Sequence, residues 1–131
     1  MHKTIFYFMA LLSLIASMTS CDKAPEEKLY DIRIAEDRGD LNFGITEYID
    51  DDIEIARAAI WSAGRIGNPQ YARQLEDYYA KGDTILFPDV AYAAGLIRDR
   101  YNLENIRELL LSDDDDFIES ACKALSMYHT D

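Results

Sequence analysis

The sequence predicts an all-α fold, a right-handed α-solenoid of about three and a half helical hairpins. The prediction rests on a sequence repeat and on the spacing of apolar residues within each copy. Five sets of positions recur at a step of 31 residues, a period that is typical of stacked supersecondary units. The sets are Ile55, Leu86 and Phe117; Ala59, Val90 and Ala121; Ala63, Ala94 and Leu125; Gly64, Gly95 and Ser126; and Ile66, Ile97 and Tyr128.

The first helix of a copy is clearest from residue 50 onward. The acidic run Asp50–Asp52 supplies N-caps and favourable charge at the positive end of the helix dipole. Apolar residues follow at helical spacing, with small ones that let a neighbouring helix approach closely: Ile53, Ala56, Ile60 and Ala63. We expect this helix to end over Gly64–Gly67, because glycine accepts the left-handed conformation common at helix C-termini.

The second helix of the copy is predicted to begin at Asn68 and Pro69, with Asn as N-cap and Pro in the first turn. Its apolar stripe is Tyr71, Leu75, Tyr78 and Tyr79. The last three of these positions recur 31 residues later as Ile106, Leu109 and Leu110. Each copy is therefore a predicted hairpin of two helices, neither of which buries its stripe alone.

The two ends of the array, which is predicted to span residues 28–131, differ from the middle. The earliest hairpin is expected to turn at Gly39–Asp40, between a helix through Leu29, Ile32 and Ala35 and one through Leu41, Ile45 and Tyr48. At the other end, Asp116–Tyr128 has the pattern of a first helix that no second helix follows. An open stack exposes apolar surface, so the chain is either a fragment incomplete at its C-terminus, which we favour, or covered there by a partner.

Residues 1–20 have the pattern of an export signal peptide. A basic start at Met1–Lys3 precedes the apolar run Ile5–Ile15 and the small-residue exit Ser17–Ser20. The run is shorter than the roughly 20 residues that a helix needs to cross a bilayer. A buried N-terminal helix or an uncleaved anchor is the alternative, but polar positions at helical spacing are nearly lacking.

Cys21 follows this segment directly and resembles the acylated cysteine of the bacterial lipobox, although Met18 stands where that motif usually has leucine. The resemblance implies lipidation at Cys21, with residues 21–27 as a polar tether. It also implies a location in the bacterial cell envelope, on the periplasmic or surface side of a membrane. An ordinary secreted protein with a stray cysteine is the alternative.

The charge of the chain excludes several partners. Of the 13 basic residues only Lys3 lies in the first twenty, and all 25 acidic residues lie beyond them. The 111 residues left after cleavage therefore carry a net charge of −13. Nucleic acid and anionic headgroups repel such a polyanion, so basic proteins or cations are the partners that charge would attract.

Candidate reactive residues are few. With Cys21 lipidated no internal disulfide forms, and Cys122 falls at the register of Ile60 and Ala91, so we predict a small core residue there. The runs Asp50–Asp52 and Asp113–Asp116 lack the glycine of a calcium loop and are interpreted as helix caps, not as a metal site. His129 is assigned to a solvated tail. No catalytic residue, cofactor or metal site is predicted.

Aromatic residues are the candidates for partner contact. Trp61 shares its register with Tyr92 and Lys123, so its position tolerates polarity and is expected to be partly exposed. Tyr71, Tyr78 and Tyr79 lie on a second helix, which in a stack of hairpins can line a concave binding face. The registers of Tyr78 and Tyr79 hold leucine and isoleucine in the neighbouring copies, so core packing with the hydroxyl at the rim is the favoured alternative for this stripe.

The segment Arg57–Pro69 resembles the short bacterial HEAT-like repeat first grouped with phycobilin lyases, and the resemblance extends over most of residues 28–128. The third copy departs from it with Ser126 in place of the first glycine, and the second with Arg98 in place of the later one. The resemblance implies the fold. Together with the lipobox and the lack of a catalytic set, it leads us to expect a non-catalytic, membrane-tethered scaffold or adaptor that binds a protein partner.

An alternative comes from envelope lipoproteins that resemble this chain and carry such repeats ahead of a cyclophilin-type peptidyl-prolyl isomerase domain. On that view the enzyme lies beyond Asp131 and these residues position its clients. A bilin lyase is disfavoured, because an export signal conflicts with a cytoplasmic chromophore task.

Overall fold

Six α-helices make up most of the chain that the computed structural model describes, residues 22–81 and 84–128. They are α1 (Pro25–Arg38), α2 (Ile53–Ile66), α3 (Tyr71–Ala80), α4 (Phe87–Ile97), α5 (Leu103–Leu109) and α6 (Asp115–Met127). Short 3-10 helices lie at Ile45–Tyr48 and Thr84–Leu86, and the described residues contain no β-strand. The all-α prediction is confirmed.

The four longer helices pack one on the next, and the two shorter ones lie beside them. Helix α1 packs on α2, α2 on α4, and α4 on α6, while α3 lies against α4 and α5 against α6. The buried core runs through all of these contacts and is built mainly of alanine and aliphatic residues, among them Ile32, Ile55, Ala59, Ile60, Leu75, Val90, Ala94, Ile106 and Ala121. Small residues predominate on α2 and α4, and they let the axes of neighbouring helices lie close together.

Gly64 and Gly95 permit this close approach. A Cβ atom at Gly64 would lie 2.8 Å from the Cα of Ala93, and one at Gly95 would lie 2.9 Å from the Cα of Ala124. The expectation that Gly64 helps to end α2 is therefore wrong, since it lies within the helix and against its neighbour. Ser126, the third member of this register, is exposed, and no described helix packs over it.

Three helices end at a residue in the left-handed conformation, and two of these residues are glycines. Gly39 ends α1 at φ 60° and Gly67 ends α2 at φ 72°, both in the left-handed region that glycine tolerates. At the end of α4 the equivalent residue is Arg98, which adopts the same conformation at φ 59°. A non-glycine residue in this conformation is strained by about 1–2 kcal/mol.

The second helix expected in the first hairpin is reduced to the 3-10 helix at Ile45–Tyr48. The Asp40 carboxylate accepts a hydrogen bond from the Asn42 N–H at 2.9 Å and forms a turn, and Gly44 follows in an extended conformation. Leu41 is consequently 61% exposed, whereas Phe43, which the apolar pattern had not included, is buried. The ring of Phe43 packs edge-on against Tyr71.

The prediction that Cys122 is a core residue is wrong, because its side chain is exposed. Its register equivalents Ile60 and Ala91 are fully buried. They lie one turn before Gly64 and Gly95, on the faces of α2 and α4 that receive the next helix. No described helix packs on the corresponding face of α6, so the same register leaves Cys122 in solvent.

The signal peptide and the lipidation site predicted at Cys21 lie outside the described residues, as does His129. Within the expected tether, Pro25–Glu27 form the first turn of α1, where glutamates are favourable at the positive end of the helix dipole. None of the described helices has the length and apolar character needed to cross a bilayer.

Candidate functional site

Trp61 lies half-buried on α2 and is held in place by three neighbours. Its indole N–H donates a hydrogen bond of 2.8 Å to Oδ1 of Asp89 on α4. Its ring lies 5.3 Å from the ring of Tyr92, and the Arg65 guanidinium sits 5.4 Å from its centroid. The expected partial exposure is confirmed, but the polar edge of the ring already has a partner within the chain.

Asp89 joins α2 to α4 and was not identified from the sequence. Besides Trp61, its carboxylate accepts a hydrogen bond of 3.1 Å from Nε of Arg57, and this bond raises the pKa of the guanidinium. The register equivalents of Asp89 are Ala58 and Ser120, so the repeat offered no signal for a carboxylate at this position.

A groove of about 530 Å³ between α1 and α2 adjoins Trp61. Glu36 lines it and accepts hydrogen bonds from the Ser62 hydroxyl at 2.7 Å and from Arg65 at 2.8 Å. Burial alone would raise the pKa of Glu36, but the hydrogen bonds from Ser62 and Arg65 outweigh it and lower the pKa. The carboxylate therefore stays charged and paired, so a ligand in this groove would have to displace existing bonds.

Tyr71 and Tyr78 belong to the core. Their side chains are 1% and 2% exposed, and their hydroxyls donate to the carbonyl oxygens of Asp40 at 2.8 Å and Ile45 at 3.1 Å. Burial raises the pKa of both phenols. These two tyrosines therefore follow the packing alternative, and their rings offer no contact surface. Partner binding through Trp61 and Tyr79 stays a prediction.

Tyr79 begins a row of aromatic rings that crosses from α3 to α6. Its ring centroid lies 4.9 Å from that of Phe87, and Phe87 lies 6.2 Å from Phe117. The row forms the floor of a cavity of about 350 Å³, here named the α3–α5 groove. The groove is lined by Glu76, Tyr79, Ala80, Phe87, Asn105, Glu108, Leu109, Ser112 and Phe117.

Two carboxylates, Glu76 on α3 and Glu108 on α5, line the α3–α5 groove from exposed positions. Neither forms an ion pair with any residue in the described part of the chain. The sequence analysis did not single them out, because a glutamate on the outer face of an amphipathic helix has no distinctive pattern. Only the tertiary arrangement, with α3 packed on α4 and α5 on α6, brings them to one groove.

The hydroxyl of Tyr79 is fully buried and has no hydrogen-bond partner among the described residues. Burial raises the pKa of this phenol, which favours its neutral form. A buried hydroxyl without a partner costs about 1–3 kcal/mol in lost solvation. Tyr79 thus differs from Tyr78, its neighbour in sequence, whose hydroxyl is bonded.

The acidic runs cap helices, as predicted. The Asp52 carboxylate accepts a hydrogen bond of 3.0 Å from the Glu54 N–H at the start of α2, and Asp114 accepts one of 2.9 Å from the Asp116 N–H at the start of α6. Residues 22–81 and 84–128 contain no cluster of three histidine, cysteine or carboxylate side chains that could hold a metal ion.

Comparison with known proteins identifies no relative of this chain. No protein-family model, no curated protein and no solved structure matches the chain.

Proposed function

We propose that this protein is a non-catalytic scaffold or adaptor of the bacterial envelope. In this proposal a lipid on Cys21 tethers it to a membrane, and a right-handed α-solenoid of HEAT-like hairpins presents a protein partner with a binding surface. The main support is the sequence separation of the residues that side-chain hydrogen bonds join between different secondary-structure elements. These bonds join residues 23 to 34 positions apart, close to one repeat.

One pair of donors at the same register, Tyr71 and Asn102, forms such bonds in successive copies, which supports a stacked arrangement. Tyr71 donates to the Asp40 carbonyl, and Asn102, 31 residues later, donates to the Ala72 carbonyl at 2.7 Å. Each bond joins the start of a second helix to the preceding copy of the repeat. Units linked only to their neighbours form extended surfaces, which suit the binding of a protein better than the enclosure of a small substrate.

The membrane tether rests on the pattern of residues 1–21. Two or three acyl chains anchor a soluble domain stably, because each buried methylene contributes about 0.8 kcal/mol. An anchored stack would hold its partner at the membrane, and its net negative charge would keep it clear of anionic headgroups.

The test is site-specific photo-crosslinking of the full chain in its native membrane. A photoreactive amino acid replaces one exposed residue at a time, namely Tyr30 on α1, Tyr101 before α5 or Leu111 after it. We expect the same discrete adduct from positions on one face and its loss in the unfolded Ala94→Glu variant. Adducts that are diffuse and equal in the folded and unfolded proteins would contradict a scaffold.

The isomerase alternative makes a different prediction for the same membranes. A protein whose repeats precede a cyclophilin-type domain would accelerate prolyl-peptide isomerisation, and the activity would co-purify with this chain. A scaffold without such a domain would leave the rate at that of the uncatalysed peptide.

A further inference from the structure

We propose that the α3–α5 groove binds a basic segment of the partner protein, one that carries an arginine or lysine next to an apolar side chain. This inference rests on the proposed scaffold function and names the chemistry of its partner. It follows from three features: the apolar floor of the groove, two carboxylates in its lining that have no ion pair among the described residues, and the net negative charge of the chain.

The floor of the groove is the row of Tyr79, Phe87 and Phe117, whose rings are partly exposed. Rings with centroids 4.9 Å and 6.2 Å apart form a continuous apolar surface between the second helices. The methylene stem of an arginine or lysine packs well on such rings while its charged end stays at the solvent edge. An apolar neighbour in the ligand would fill the rest of the cavity of about 350 Å³.

The carboxylates of Glu76 and Glu108 give the groove its charge preference. Other glutamates on these helices and their neighbours are already paired: Glu54 with Arg57, Glu104 with Arg107, and Glu119 with Lys123. Arg73 on α3 donates to the hydroxyl of Tyr101 at 2.8 Å and interacts with Glu76 only through the attraction of their charges, without a direct contact. An incoming cation could therefore bind Glu76 and Glu108 without breaking a direct ion pair among the described residues.

The groove beside Trp61 is a poorer site for the same ligand. Two of its three carboxylates are already engaged, Glu36 by Ser62 and Arg65 and Glu54 by Arg57, and the three arginines in its lining repel a basic ligand. The overall charge of the chain favours the approach of a basic segment to either groove. Because carboxylates in the groove beside Trp61 are already paired, the α3–α5 groove is the more favourable site.

The experiment measures the binding of short synthetic peptides to the full chain in detergent by isothermal titration. The probe alternates arginine and leucine, and its counterpart carries citrulline, a neutral isostere, in place of every arginine. The Glu76→Gln/Glu108→Gln variant removes the two groove carboxylates. The Asp77→Asn/Glu104→Gln variant removes the same charge from the same two helices outside the groove lining.

We expect the arginine peptide to bind more tightly than the citrulline peptide, and the groove variant to weaken its binding about twofold to thirtyfold, the range for two exposed ion pairs. The control variant should bind as the natural chain does. Four results would each overturn the inference: no binding of the arginine peptide, equal binding of the citrulline peptide, equal weakening by both variants, or undiminished binding by the groove variant.

Failure of this inference is separable from failure of the scaffold proposal. If photo-crosslinking in the membrane yields a discrete partner and Glu76→Gln/Glu108→Gln leaves that adduct unchanged, the scaffold stands and the groove is not its site. If no discrete partner forms at any position, the scaffold proposal fails independently of the peptide result.

Discussion

Two adjacent tyrosines on α3 provide the sharpest test of the packing. The same change, tyrosine to phenylalanine, removes only a hydroxyl at Tyr78 and at Tyr79. At Tyr78 the hydroxyl donates to the Ile45 carbonyl at 3.1 Å in a site 2% exposed. At Tyr79 the hydroxyl is buried with no partner among the described residues.

The two replacements should change the free energy of unfolding in opposite directions. Tyr78→Phe loses a buried hydrogen bond and removes a partner of the Ile45 carbonyl, so we expect destabilisation of about 1–2 kcal/mol. Tyr79→Phe removes an unsatisfied group and its desolvation penalty, so we expect stabilisation of about 1 kcal/mol. The variants should then differ by roughly 10 °C or more in Tm, since 1 kcal/mol shifts a domain of this size by about 4–8 °C.

The assay is thermal and urea unfolding followed by far-ultraviolet circular dichroism on the full chain and both variants in the same detergent. Equal urea slopes would show that the change lies in stability and not in the surface exposed on unfolding. If Tyr79→Phe destabilises the chain as much as Tyr78→Phe does, the Tyr79 hydroxyl has a partner in solution and the reasoning is refuted.

Four further predictions test the packing, the anchor and the titration. Gly64→Val should force α2 away from α4 and lower the free energy of unfolding by about 1–3 kcal/mol. An unchanged midpoint of urea unfolding would contradict the close approach of the two helices. Ala94→Glu, which buries an unpaired charge, should cost several kcal/mol and abolish the cooperative transition. Cys21→Ala should move the protein from membranes to the soluble fraction without loss of helicity, and a membrane-bound variant would refute lipidation. Burial raises the pKa of the Tyr128 phenol to about 12, whereas an unfolded tyrosine titrates near 10. The unfolded state therefore loses this proton first, and the free energy of unfolding should fall as the pH rises above about 10. Tyr128→Phe should reduce this dependence of stability on pH.

The success of the all-α prediction comes from signals that act within one helix. Asp52 and Asp114 cap helices through the N–H two residues on, and Gly39 and Gly67 end helices through their own backbone freedom. Such interactions depend on a few neighbouring residues, so they are visible in the sequence. The shortening of the expected helix at Leu41–Tyr48 is the exception, because the turn at Asp40 and the burial of Phe43 outweighed its apolar spacing.

Contacts between copies were less accessible to the sequence. Cys122 and Gly64 were misassigned for the same reason: a register position is buried, or closely packed, only where another helix lies against it. Asp89 bridges Trp61 and Arg57 although its register equivalents carry no charge. Glu76 and Glu108 became a candidate site only when α3 and α5 were seen to flank one groove.

The sequence by itself therefore determined the helical class, the repeat, the helix caps and the left-handed ends, because each depends on residues close along the chain. The tertiary structure alone decided which side chains share a surface. Which side chains share a surface depends on contacts between residues about one repeat apart. The geometry of these contacts depends on how closely the small residues let neighbouring helices approach. The α3–α5 groove, with its aromatic floor and its two exposed carboxylates, is a product of that packing.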